Sequence, residues 1–73
     1  MQTILLQGIL TATWRPTTQD WQLLRGTSPI AVTSEDGCDV NFDGPCGLTG
    51  YEVKDLYNIM ERICEQFNSC KSQ

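Results

Sequence analysis

Between Val53 and Phe67 apolar side chains return at intervals of three and four, at Val53, Leu56, Tyr57, Met60, Ile63, Cys64 and Phe67, and so draw one stripe along a helix. Such a stripe is stable only when a second layer of structure covers it. The start of the helix is legible too. Thr49 and Glu52 have the spacing of a capping box, in which each side chain satisfies a free backbone N–H of the first turn, and Leu48 is placed to staple onto Val53. A helix is therefore expected over about 50–68, with Lys54, Asp55, Asn58, Glu61, Arg62 and Glu65 turned to water.

The covering layer has to come from upstream, where the apolar period changes to two. Ile4, Leu6, Gly8, Leu10, Ala12 and Trp14 share one face, and Thr3, Gln7, Thr11 and Thr13 occupy much of the other. This predicts one long strand over about 3–15, with Gly8 marking a bulge or bend. Pro16-Thr17-Thr18-Gln19 reads as a turn, after which 20–25 returns as a second strand. A short helix capped by Thr17 or Thr18 and ended at Gly26 is the competing reading of that segment. The β-branched run at 30–33 predicts a third strand, and 34–48, rich in Gly, Asp, Asn and Pro, predicts a long acidic loop. The expected fold is α+β: an antiparallel hairpin or three-stranded meander with the stripe packed on its Ile4, Leu6, Leu10 face. At 73 residues only one domain is expected.

Charge and composition exclude several functions. The chain carries nine acids and five scattered bases for a net charge of −4, which does not suit a phosphate backbone or an anionic membrane. Neither direct nucleic-acid binding nor membrane association is expected. MQTILLQGILTATW has no cationic region and no long apolar run, so a cytoplasmic location is expected, with an extracellular one as the alternative. The absence of histidine removes the commonest general base and the commonest zinc ligand, and no glycine-rich phosphate loop is present, so no catalysis and no cofactor are expected.

The most specific local motif is Asp39-Val40-Asn41-Phe42-Asp43-Gly44, which resembles the opening of the calcium loop in EF-hand and dockerin-type modules. The resemblance implies that Asp39, Asn41 and Asp43 would offer side-chain oxygens to the cation, and that Gly44 would permit the sharp turn. It covers about a fifth of the chain, and its twelfth position is Gly50 where the pattern requires a bidentate carboxylate; Glu52 falls two places late. Cys38, Cys46, Cys64 and Cys70 match no C-x2–4-C zinc spacing. They read either as four thiols or as disulfides joining Cys38 to Cys46 or the loop to the helix.

Two readings of function follow from these residues. In the first, a small acidic protein binds and regulates or inhibits another protein, in the manner of the compact inhibitors that phages and mobile elements carry. Glu35, Asp36, Asp39 and Asp43 would steer it onto a basic site, with Trp14 and Trp21 as surface anchors unless they belong to the core. Between Glu35 and Asp55 six acids face the single base Lys54, which makes that stretch the natural docking side. In the second reading the chain is a calcium-binding, disulfide-stapled extracellular module using Asp39, Asn41, Asp43 and Glu52. Self-association into a homo-oligomer fits either.

Overall fold

The computed structural model describes residues 2–43 and 48–71, the last two by their backbone alone. Its elements are β1 (Ile4–Gln7), β2 (Leu10–Arg15), β3 (Asp20–Arg25), β4 (Ser28–Thr33), β5 (Val40–Phe42) and α1 (Gly50–Lys71). The strands form one antiparallel sheet in the order β1-β2-β3-β4-β5. The fold is α+β as the sequence predicts, but with five strands where two or three were expected.

One extra strand arises because 3–15 is not a single strand: the chain reverses at Gly8 and Ile9. Gly8 has φ +60°, as the first central position of a type II′ turn requires and glycine readily supplies. A two-residue turn inverts the alternation. Ile4 pairs with Thr13 and Leu5 with Ala12, so odd positions before the turn share a face with even positions after it. Leu5 is consequently buried, while Ile4 and Leu6 are 59% and 66% exposed. Of the expected packing face Ile4, Leu6 and Leu10, only Leu10 belongs to the core.

The segment 20–25 is a strand, and the helical alternative does not hold. Gln19, at φ 57°, completes the Pro16–Gln19 turn, across which Arg15 grips both carboxylate oxygens of Asp20 at 2.7 and 2.8 Å. β4 begins at Ser28, earlier than expected, and Ile30 is the extra residue of a bulge between the pairs Leu23–Ala31 and Leu24–Pro29. The second extra strand, β5, lies inside the stretch read as a loop over 34–48.

α1 lays its stripe on one face of the sheet. Leu56, Ile59 and Ile63 join Leu5, Leu10, Ala12, Trp21, Leu23 and Ala31 in one core cluster. The stripe is rotated from its sequence reading: Ile59 is fully buried, and Tyr57 is 66% exposed. At the cap the Glu52 N–H donates to Thr49 Oγ1 at 3.4 Å, as the box requires, and the Thr49 hydroxyl donates to Glu52 Oε1 at 3.1 Å, a side-chain bond the box does not include. Asp55 and Arg62 do not simply face water. The Asp55 carboxylate fills the space a Cβ on Gly8 would need, and Arg62 reaches back to β1.

Candidate functional site

The β4–β5 connection gathers Glu35, Asp36 and Asp39 into a tight acidic turn. Ser34 and Asp36 build it: the Ser34 hydroxyl donates to Asp36 Oδ1 at 2.6 Å, and the Cys38 N–H donates to the same oxygen at 3.0 Å. Ser34 Oγ in turn accepts the Asp39 N–H at 3.1 Å. Gly37 fixes the turn to the helix. It is buried at φ +72°, and a Cβ there would lie 2.7 Å from the Met60 carbonyl oxygen, so only glycine lets turn and helix touch. The Ser34 hydroxyl and then the Cys38 N–H hold the Asp36 carboxyl below its ordinary range, and the nearby Asp36 charge pushes the Cys38 thiol up.

The six acids grouped by sequence divide in space. Glu35, Asp39 and Asp43 are exposed and, among the described residues, enter no ion pair. Glu52 belongs to the helix cap, where Arg25 at 3.1 Å and the Thr49 hydroxyl hold its carboxyl low, and Asp55 lies against Gly8. The arginines are engaged elsewhere: Arg15 with Asp20, Arg25 with Glu52, and Arg62 with the Leu6 carbonyl. Among the described residues the exposed acids without a close ion pair are therefore Glu35, Asp39 and Asp43 of the β4–β5 hairpin, of which Asp43 still acts on Arg15 through space, together with Glu61 and Glu65 on α1.

Asp39, Asn41 and Asp43 lie along or beside β5. The Asp39 carbonyl accepts from Ser34 N–H at 3.0 Å and the Asp43 N–H donates to the Ile30 carbonyl at 2.9 Å, so the segment is extended from end to end. Alternate residues of an extended strand stand roughly 6.5 to 7 Å apart, which spreads these side chains along an edge. Gly44 lies outside the described residues. Among those described, no three of His, Cys, Asp and Glu gather around a common point. Cys38 and Cys64 are free thiols, the first exposed and the second half-buried; Cys46 and the Cys70 side chain lie outside the described residues.

Trp21, expected as a possible anchor, is 1% exposed and belongs to the core. Trp14 faces it across β2 and β3 with ring centroids 5.5 Å apart and remains half-buried. The exposed aromatics are instead Phe42, Tyr51 and Tyr57. Sequence reasoning missed them because Phe42 sat in a supposed loop, while the three-and-four spacing assigned Tyr57 to the stripe.

The sheet has two outer strands, and their backbones are treated differently. In β1 the ladder to β2 uses the odd residues, as the Trp14 N–H to Thr3 carbonyl bond of 2.9 Å fixes, so Gln2, Ile4 and Leu6 direct N–H and C=O outwards. The helix covers part of this edge, and among the described residues nothing bonds to the Ile4 N–H and C=O or to the Leu6 N–H. Gln66 accepts the Gln2 N–H at 2.9 Å and donates to the Gln2 carbonyl at 3.2 Å, and Arg62 donates to the Leu6 carbonyl at 2.6 Å. In β5 the ladder to β4 uses Asp39, Asn41 and Asp43, which turns the N–H and C=O of Val40 and Phe42 outwards. Among the described residues nothing bonds to these four groups.

Comparison with protein-family models, curated proteins and solved structures finds no match for this chain. Among the described residues no helix is long and apolar enough to cross a membrane.

Proposed function

We propose that this chain is a non-catalytic protein that binds and regulates another protein, docking through the acidic β4–β5 hairpin. One observation carries the reading: among the described residues Glu35 and Asp39, on a turn that Gly37 anchors to the helix, and Asp43, at the far end of β5, are exposed without ion pairs, while Arg15, Arg25 and Arg62 are engaged by partners within the chain. A rigid patch of one sign raises the association rate with an oppositely charged partner and is screened over about 8 Å at physiological ionic strength. The partner surface is accordingly basic. Replacing Glu35, Asp39 and Asp43 with Gln or Asn should slow association with a captured partner several-fold at low salt, leaving the folded state intact. Equal association rates for wild type and the neutralised chain at two salt concentrations would dismiss the reading.

A further inference from the structure

We propose that the β5 edge takes up an extended basic segment of the partner as a sixth, antiparallel strand. The inference rests on the acidic-hairpin reading and assigns that surface its mode of recognition. Val40 and Phe42 each present an N–H and a C=O in the plane of the sheet, and an added strand can satisfy all four. Their side chains lie on the same face as their cross-strand partners Thr33 and Ala31, which belong to the buried side; Phe42 is 43% exposed. Asp39, Asn41 and Asp43 alternate onto the opposite face.

This arrangement specifies the occupant residue by residue. Directly opposite Asp39 and Asp43 a partner strand would place two Lys or Arg four positions apart, with a polar residue between them opposite Asn41 and apolar residues opposite Val40 and Phe42. The pattern is basic, apolar, polar, apolar, basic. A second copy that pairs β5 with itself over its full length, about Asn41, sets Asp39 against Asp43 at both ends, and like charges directly opposite are destabilising.

The probe is a synthetic peptide containing Lys-Val-Thr-Val-Lys, titrated into the intact chain at low salt and followed by amide NMR. Binding should shift the Val40 and Phe42 amides and slow their hydrogen exchange. N-methylation of the two peptide valines keeps every charge but removes the ladder donors, and should weaken binding about tenfold or more. The pair Asp39→Asn, Asp43→Asn should weaken it about threefold to tenfold. If the methylated peptide binds as well as the parent, or the Val40 and Phe42 amides stay unprotected, strand addition is wrong, while weakening by the two Asn substitutions would still support the acidic docking surface. If neither the Asn substitutions nor methylation changes binding, both readings fall. Protection of Val40 and Phe42 before any peptide is added, together with a dimer in sedimentation, would overturn the proposal in favour of a second copy.

Discussion

The two outer strands of the sheet show two ways of handling unpaired backbone. An exposed strand edge invites indiscriminate pairing unless its groups are occupied or its approach is charged. β1, whose side chains Ile4 and Leu6 are apolar and exposed, is covered in part: Arg62 of α1 takes the Leu6 carbonyl and Gln66 takes both backbone groups of Gln2 just before the strand. β5 has no such cover among the described residues and carries carboxylates at Asp39 and Asp43 instead. Occupied groups refuse every partner alike, whereas charge refuses like charge and admits its opposite. The first edge is partly covered by the helix, and the second is guarded by charge alone among the described residues.

The cover over the β1 edge depends on helix docking, so the largest effect should come from the core beneath it. Ile59 is fully buried between helix and sheet, and Ile59→Ala should cost roughly 2 to 5 kcal/mol in urea unfolding. Hydrogen exchange at Gln2 should accelerate along with it, because Gln66 can cover β1 only while α1 is docked. A loss below about 0.5 kcal/mol would mean that the helix is not packed as described.

A smaller change should open the edge without undocking the helix. Arg62→Ala with Gln66→Ala removes the covering bonds to Leu6 and Gln2, each contributing about 0.5 to 1.5 kcal/mol at most in so exposed a setting. The double variant should stay folded, lose protection at the Gln2 amide and self-associate in sedimentation, since Ile4 and Leu6 then flank free backbone. A monomer with unchanged exchange at Gln2 would abolish the contrast between the edges.

Little of this contrast was legible in the sequence, although part of the frame that holds it was, and the misreadings have identifiable reasons. The helix start at Gly50 with Thr49 before it, and a strand over 20–25 with a short helix as its rival, follow from local spacing; the helix itself runs to Lys71, past the expected 68. The first hairpin was missed because Gly8 falls within an unbroken even-numbered alternation; Gly8-Ile9 is itself a turn signal, but period two looks the same whether a strand continues or doubles back through a two-residue turn. β5 was missed because Asp39, Asn41 and Asp43 have poor strand propensity and are held by pairing with β4, a tertiary effect. The rotation of the stripe to Ile59 has the same origin: the sheet selects which side of an amphipathic helix it buries. The acids of the hairpin were legible as residues, whereas their separation from Glu52 and Asp55 required the fold.

The smallest expected effect tests the turn that carries the charged edge. Asp36 holds that turn by accepting from the Ser34 hydroxyl and the Cys38 N–H, and its carboxyl is lowered in the folded chain. A lowered carboxyl stabilises the fold above the ordinary carboxylate range, and that contribution disappears as pH falls through the lowered value. The Cys38 thiol responds in the opposite sense. Its pKa is raised chiefly by the Asp36 charge, which favours the protonated form, and the associated stability is lost as pH rises through the raised value. Since only the thiolate is nucleophilic, Cys38 should be alkylated more slowly by iodoacetamide at mildly alkaline pH than a thiol in an unstructured peptide, despite its exposure. Asp36→Asn should bring the rate up towards the peptide value, read at Cys38 by mass mapping so that the other cysteines do not confuse it. The β1 edge supplies the control: Arg62→Ala should leave the Cys38 rate unchanged. An Asp36→Asn chain that reacts no faster than wild type would show that Asp36 does not govern the thiol, and would remove the closest measure of how firmly the acidic turn is set.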